Sequence, residues 1–439
     1  MATCLVIGNA KSGNAAARLL NQKGYTVTLT DMQSIPDKEE LEALGIRVVD
    51  EGHPDFLFND DYAFIVKNPG IKYSVPIIRY FVEHQVKIYT EIEIASWYAP
   101  KFHYGAVTGT NGKTTITTML YECLKANGRC EAAGNIGTPL SELALKYGDE
   151  EKDIALELSN FQLLGVESFH PEAAVVCNLA PDHLDYMNSV EEYYASKFRI
   201  AMNQRGDDWF LRNVDDPIVM QYAHDLKCKI IDFSLLRTDT PLCIRDGSVW
   251  LFDKRLFKLD DLKVVGMHNV SNAMIAGAMA VKLGVSLKAV ELALTSFKGI
   301  EHRIEYVGEK NGVSFYNDSK ATNTQAAAIG IASFPKNILL LAGGHDKGIP
   351  FEEMRAYDDR IKCCLAFGET KAKIAEIFTR SKQCETMFEA LNEAWRMSVP
   401  GDVILLSPAC SSYDQFNNYE QRGDLFKEAA LKIIHESTD

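Results

Sequence analysis

The run Thr108-Gly109-Thr110-Asn111-Gly112-Lys113-Thr114-Thr115 constrains this 439-residue chain more than any other stretch. Its lead-in, Tyr104 to Thr108, reads as an apolar strand. The residues after it (Ile116, Met119, Leu120, Cys123, Leu124) recur at helical spacing from near Thr115. A strand that turns on glycine into a helix aims several backbone N–H groups and a helix N-terminus at one point, which suits a phosphate. Lys113 adds a mobile positive charge for outer phosphates, and Thr114 offers a hydroxyl to magnesium. The general phosphate-loop pattern asks for glycine at position 107, where this chain carries Val107. The strand–loop–helix context, rather than the bare pattern, predicts a nucleoside triphosphate site.

A formal net charge of −14 argues against nucleic acid as a partner, since phosphate backbones need a basic face. The ten cysteines are scattered, with only Cys363 and Cys364 adjacent and no C-x-x-C, which predicts neither a zinc site nor a disulfide scaffold. The chain reads into a strand from Cys4 with no basic leader, and no apolar run approaches the ~20 residues of a membrane span. A cytoplasmic protein without a membrane span is the expectation.

Three blocks follow one another. In the first, 1–92, strands at Cys4–Ile7, Thr26–Leu29, Phe64–Val66 and Lys87–Tyr89 alternate with helical runs Ala15–Lys23 and Val75–His84, predicting a parallel sheet with crossover helices. The second, 93–298, holds the phosphate loop and strands at Ile154–Leu158, Ala173–Asn178, Trp209–Asn213 and Ile230–Phe233. It continues into a β-rich stretch from Leu242 to Val265 with a turn at Arg245-Asp246-Gly247, then a small-residue helix Asn269–Lys282. The third, 299–439, alternates again, with strands at Val313–Asn317, Ile338–Ala342, Cys363–Phe367 and Val403–Ser407.

Other motifs sit at strand ends. Gly8-Asn9-Ala10-Lys11-Ser12-Gly13 resembles a dinucleotide turn whose second glycine is replaced by Ala10, and Asp31 closes the next strand where a ribose-binding acid would stand. Such a turn fits either a nucleotide diphosphate or a plain βα connection. Glu157 lies in an apolar run, where a carboxylate is costly unless paired or bound to a cation such as magnesium. His183 sits among acids in Ala180-Pro181-Asp182-His183-Leu184-Asp185, and Lys197 on the helical run Val190–Ile200 reads as a surface lysine. His302-Arg303, Asp318-Ser319-Lys320-Ala321-Thr322-Asn323, Gly343-Gly344-His345-Asp346-Lys347-Gly348 and Ser407-Pro408-Ala409-Cys410-Ser411-Ser412 bring lysines and hydroxyls to strand C-termini. That edge of a parallel sheet suits a small anionic substrate such as an amino acid.

Taken together, TGTNGKTT, Glu157 to Gln162, Asp182 to Asp185, Gly266 to Ala273, His302-Arg303, Asp318 to Asn323 and Ser407 to Asp424 resemble, in one collinear order, the Mur ligases of bacterial cell-wall synthesis. The resemblance implies three consecutive α/β domains: Rossmann-like at the N-terminus, P-loop ATPase-like in the centre and Rossmann-like at the C-terminus. These would serve a uridine nucleotide substrate (1–92), ATP (93–298) and an amino acid (299–439). The run SPACSSYDQFNNYEQRGD points to the D-glutamate-adding branch, so the implied substrates are UDP-N-acetylmuramoyl-L-alanine, D-glutamate and ATP, joined through an acyl phosphate and a tetrahedral intermediate. By the same resemblance Gly109, Thr110, Asn111, Gly112, Lys113, Thr114 and Thr115 hold ATP with Asn269, Asn272, Arg303 and Asp318. Thr114, Glu157, His183 and a carbamylated Lys197 hold two magnesium ions, and Lys113, His183, Lys197 and Lys320 are the catalytic set. Lys11, Ser12, Asp31, Asn68, Gly70 and Asn135 face the uridine substrate; Thr322, Lys347, Ser412, Tyr413 and Tyr419 face D-glutamate. A monomer is expected.

Departures from the family pattern are Tyr186-Met187 where Arg-His is frequent, Asn160 where Ser is common, and Met32-Gln33 after Asp31. No Asp-Asn-Pro-Arg stretch, the mark of the diamino-acid-adding relative, is present. Three alternatives stand beside this reading: another amide ligase of the superfamily, such as a different Mur ligase or a folylpolyglutamate synthetase; a regulatory protein that hydrolyses ATP as a switch; and a ligase-like chain that has lost activity.

Overall fold

Short apolar strands alternating with helices form three sheets among the residues that the computed structural model describes, 2–180, 187, 189–348 and 350–436. The chain divides into two units, Met1–Asp260 with Ser271–Leu294, and Asp261–Val270 with Thr295–Asp439. The first unit carries two of the sheets and the second carries the third.

The first sheet consists of β1 (Thr3–Ile7), β2 (Thr26–Thr30), β3 (Arg47–Val49), β4 (Phe64–Lys67) and β5 (Ile88–Tyr89), all parallel in the order β3-β2-β1-β4-β5. The order reverses between β1 and β4, so the connections leaving their C-terminal ends part and open a crevice. The helix after β1 runs from Lys11 to Gln22, four residues earlier than its apolar spacing suggests. Gly8 has φ +99°, and a Cβ on Gly13 would fall 1.9 Å from the Gly8 carbonyl oxygen. Ala10 is extended at φ −64°, ψ 168°, a conformation any residue adopts. The first and third glycines of the turn are therefore structural requirements, and the alanine between them is tolerated.

The second sheet contains β6 (Phe102–Thr108), β7 (Cys130–Gly134), β8 (Lys152–Glu157), β9 (Ala173–Val176), β10 (Trp209–Asn213), β11 (Lys229–Ser234), β12 (Leu242–Arg245), β13 (Ser248–Leu251) and β14 (Lys254–Lys258). They stand in the order β14-β13-β12-β11-β10-β9-β6-β8-β7. The pairs from β7 to β12 are parallel, and β12-β13-β14 close the edge as an antiparallel meander. Asp246 (φ 48°) and Gly247 (φ 66°) both take the left-handed conformation that a tight hairpin needs. The functional consequence is the position of β6, flanked by β8 and β9. Val107 pairs with Glu157 and Thr108 with Val176, so the phosphate loop, the end of β8 and the end of β9 emerge side by side.

The third sheet comprises β15 (Glu305–Lys310), β16 (Val313–Asn317), β17 (Ile338–Gly343), β18 (Ile361–Phe367), β19 (Ser381–Gln383) and β20 (Val403–Leu406), in the order β15-β16-β20-β17-β18-β19. Every residue of β17 is buried, as expected of a parallel strand covered on both faces. Only β15 is antiparallel, joined to β16 across Asn311 (φ 52°) and Gly312 (φ 75°). Because β16, β20 and β17 are neighbours, the loops after Asn317, Leu406 and Gly343 share one edge.

Among the described residues no helix is long and apolar enough to cross a membrane. All ten cysteines are free thiols, in keeping with their scattered positions.

Candidate active site

The phosphate loop is held by the segment after β9. Gly109 (φ +146°) leaves room for Cys177, whose backbone nitrogen would lie 3.1 Å from an added Cβ. Asn178 then brackets the loop: its backbone oxygen accepts from Thr110 N (3.0 Å), its Oδ1 accepts from Asn111 N (2.9 Å), and its Nδ2 donates to Asn111 O (3.0 Å). The Thr110 hydroxyl donates to Ala180 O (3.1 Å) and accepts from Ala180 N (3.0 Å). Gly112, at φ +84°, is the N-cap of the helix Lys113–Leu124, which places Thr114 and Thr115 in its first turn. Asn272 Oδ1 would stand 2.9 Å from a Cβ on Gly112, so this asparagine abuts the loop. Asn269 donates to Val265 O at 2.8 Å. Sequence reasoning gave Asn178 no role; a polar residue directly after a buried strand beside the loop was the available signal.

Two ammonium groups meet on one carbonyl. Lys113 Nζ donates to Gly109 O and Thr110 O, each at 2.9 Å, and Lys197 Nζ donates to the same Gly109 O at 3.0 Å. Lys197 lies on the helix Val190–Phe198, is 2 % exposed, and sits 4.5 Å from the centroid of the Tyr193 ring. It is a core residue, against its reading as a surface lysine from residue type alone. Glu157 ends β8 beside the loop and is buried. Asn135 donates to its Oε1 at 2.9 Å, and Asn135 N donates to its backbone oxygen at 2.8 Å. Among the described residues Glu157 Oε2 has no hydrogen-bond partner. Cys177 feels the charges of Lys113, Lys197 and Glu157 together, while burial pushes its thiol up to about 12.

An orphaned, buried carboxylate oxygen beside a phosphate loop fits a hard divalent cation that prefers oxygen ligands. The Thr114 hydroxyl on the first turn adds a second donor of the same kind. His183, with Asp182 and Asp185, lies outside the described residues.

In the crevice of the first sheet a cavity of about 740 Å³ is lined by Gly8, Asp31, Asn68 and Gly70 among others. Asp31 spends Oδ2 on Asn9 N (2.7 Å) and Oδ1 on Gln33 N (2.9 Å), fixing the turn after β1. Asn68 Nδ2 donates to Ser12 Oγ at 3.3 Å and so ties the β4 loop to the helix start. Lys11 lines a separate cavity of about 790 Å³ with Asn14, Arg18 and Thr138. Asn135, expected with this group, donates to Glu157 Oε1.

In the second unit the loop after β16 collects most of the remaining predicted residues. Lys320 N donates to His302 O at 2.9 Å, and its Nζ lies 5.6 Å from the Tyr419 ring centroid. Ser319 Oγ donates to Tyr419 O at 2.7 Å. Lys347 Nζ, from the β17 loop, reaches Thr322 O at 3.4 Å. Ser412 is buried on the β20 loop, where its backbone oxygen accepts from Gln415 N and Phe416 N, and Tyr413 beside it is 69 % exposed. Asp318 is fully buried, accepting from Ser407 Oγ (2.7 Å) and Ile304 N (3.2 Å); burial pushes its carboxyl up to about 7, against the pull of these bonds and of the Arg303 charge.

Arg422 is the element of this edge that sequence reasoning left without a role. It is 0 % exposed, and it donates to Ser319 Oγ (3.0 Å), Ser319 O (2.8 Å) and Cys410 O (3.0 Å), bracing the β16 and β20 loops together. Burial pulls its guanidinium down to about 10.

Residues 107–280 match the Mur ligase middle domain, and residues 302–410 match the Mur ligase glutamate ligase domain. The chain is 38% identical over 440 residues to the UDP-N-acetylmuramoylalanine–D-glutamate ligase of Geobacillus sp. (strain WCH70), covering 98% of this chain and 97% of that one. It is 40% identical over 442 residues to the enzyme of that name from Shouchella clausii (99% and 97% covered). For the Bacillus subtilis (strain 168) enzyme of the same name the identity is 38% over 436 residues (97% and 96% covered). Among solved structures, a UDP-N-acetylmuramoyl-L-alanyl-D-glutamate–2,6-diaminopimelate ligase superposes with a TM-score of 0.60 at 16% identity, covering 95% of this chain and 94% of that one. The UDP-N-acetylmuramate-alanine ligase of Thermotoga maritima gives 0.53 at 19% identity, with 99% and 100% covered. At those identities the two structures speak for the fold alone.

Proposed function

The chain belongs to the Mur ligase family, and from that premise we propose that it joins D-glutamate to UDP-N-acetylmuramoyl-L-alanine at the expense of ATP, in peptidoglycan precursor synthesis. The observation that carries the reading is end-to-end similarity to ligases of that name at 38% to 40% identity, together with a phosphate loop, two lysines and a buried carboxylate gathered at one sheet edge.

The chemistry explains the need for such a site. A carboxylate is a poor electrophile, so the L-alanine carboxylate must first take the γ-phosphoryl group from ATP. The D-glutamate amine then attacks the acyl phosphate, giving a tetrahedral intermediate that expels phosphate. Positioning and charge stabilisation carry most of such a reaction. Loop N–H groups and Lys113 would hold the phosphates, with Asn269, Asn272, Arg303 and Asp318 completing the nucleotide's contacts. Thr114, Glu157, His183 and Lys197 would hold two magnesium ions, Lys197 as its carbamate. Magnesium, when bound, neutralises phosphate charge and polarises the transferred group. Lys320 acts beside the D-glutamate set of Thr322, Lys347, Ser412, Tyr413 and Tyr419. Lys11, Ser12, Asp31, Asn68 and Gly70 face the uridine diphosphate, and Asn135 faces the acyl end. The domains would be 1–92, 93–298 and 299–439, and the enzyme would act in the cytoplasm as a monomer.

The first test measures phosphate release from ATP and magnesium with UDP-N-acetylmuramoyl-L-alanine, adding D-glutamate, L-glutamate, L-lysine or a diamino acid in turn. Release and a new conjugate only with D-glutamate is the expected result. Release without any amino acid would favour an ATP switch, and response to another amino acid would move the chain to another ligase. In the same assay Lys113→Ala is expected to raise the barrier by about 2.7–4 kcal/mol, the scale of one lost charge-stabilising donor. Near-normal turnover would remove Lys113 from the phosphate site.

A further inference from the structure

Lys67 is the last residue of β4 and is 0 % exposed, an expensive place for an ammonium group. Its Nζ donates to three carbonyls of the following loop: Asn68 O (3.2 Å), Pro69 O (3.2 Å) and Ile71 O (2.8 Å). The Tyr73 ring centroid lies 4.8 Å away. Asn68, Gly70 and Ile71 of that loop also line the cavity of about 740 Å³ in the crevice between β1 and β4. The loop is further pinned by Asn68 N on Ile7 O (2.9 Å), Gly70 N on Asn68 Oδ1 (3.2 Å) and Asn68 Nδ2 on Ser12 Oγ.

The direction of these bonds matters. A loop lining an anion site is unfavourable if its carbonyl oxygens face the ligand. Here three carbonyls of the loop are taken up by a buried ammonium. The same ammonium holds a buried positive charge against the loop that lines the cavity, where low dielectric screens it less than a surface lysine. An apolar residue would serve equally well if this position only filled the core, since the other residues of β4, Phe64, Ile65 and Val66, are apolar and buried.

We propose that Lys67 is the positioning residue of the nucleotide-diphosphate site, holding the Asn68, Pro69 and Ile71 carbonyls on its ammonium and biasing the cavity towards an anion. This rests on the reading that the cavity takes the uridine diphosphate half of the substrate. Burial also pulls the Lys67 ammonium down to about 8, which agrees with a charge held in the interior.

The test compares UDP and uridine binding by calorimetry to the full-length protein, Lys67→Met, Lys67→Gln and Lys67→Arg. The neutral variants are expected to weaken UDP about tenfold and uridine less than twofold, collapsing the preference for the phosphorylated ligand. Lys67→Arg, which keeps the charge, is expected to retain most of it. In turnover, the neutral variants raise KM for UDP-N-acetylmuramoyl-L-alanine while kcat and the KM values for ATP and D-glutamate stay within twofold. Should Lys67→Met not fold, Lys67→Gln, able to donate to a loop carbonyl, gives the same readout. Equal weakening of UDP and uridine, or an unchanged UDP affinity, overturns the role of Lys67. A wild-type protein that binds neither ligand overturns the reading of the cavity instead, so the two failures are distinct.

Discussion

Lys197→Ala is expected to lower turnover by roughly 10²–10³-fold, the scale of one preorganised charge removed from a site, and added formate or acetate is expected to restore part of it. Lys197 Nζ and Lys113 Nζ both contact Gly109 O, at 3.0 Å and 2.9 Å, and Lys197 is 2 % exposed. Two ammonium groups on one buried oxygen repel each other, and a second ammonium near Glu157 would repel a divalent cation as well. Carbon dioxide on the Lys197 amine changes its sign and makes it an oxygen ligand of the type magnesium prefers. Alanine leaves a slot of the side chain's length in which a small carboxylate can place the missing oxygens. Loss without recovery at any carboxylate concentration would mean that the lysine acts as an amine. Near-normal turnover would remove it from the site altogether.

Residue type alone places Lys197 on the surface, whereas the fold buries it. The helix Val190–Phe198 contains Glu191, Glu192, Tyr193, Tyr194, Ser196 and Lys197, too polar to reveal which face is covered. Burial there is imposed by the loop it packs on, which no helical spacing encodes. The phosphate loop was legible because glycine, lysine and threonine must occupy consecutive positions for one local geometry. The strand end bearing Glu157 was legible for a similar reason, a carboxylate closing an apolar run. Four strands, β3, β7, β15 and β19, escaped the pattern. β7 reads Cys-Glu-Ala-Ala-Gly, with only Ala133 fully buried, so it pairs with β8 as an edge without an apolar signature. β15 was missed although Asn311-Gly312, the strongest two-residue hairpin signal, stood beside it. Arg422 and Asn178 were missed because most of their partners are backbone atoms of distant loops, and backbone carries no residue-type signal.

Glu157→Gln should separate what the carboxylate does for catalysis from what it costs the fold. In the wild-type protein Oε1 accepts from Asn135 and Oε2 is buried with no partner among the described residues. An unpaired buried carboxylate oxygen destabilises the fold, on the order of 1–3 kcal/mol and more for a charged group. Glutamine keeps the shape and the Asn135 bond while removing the charge, so the metal-free variant is expected to melt no lower than the wild type and by several degrees higher if the charge dominates. Activity should move the opposite way, falling roughly 10²–10³-fold. The link between the two is magnesium. A ligand that binds only the folded state stabilises it by RT ln(1 + [L]/Kd), so magnesium with ATP should raise the wild-type melting temperature. The same addition should raise that of Glu157→Gln much less. A variant that keeps both turnover and the magnesium-dependent shift would show that the cation is held without Glu157. One that loses stability as well as activity would mean that the carboxylate belongs to the core, with Asn135 as its sole purpose.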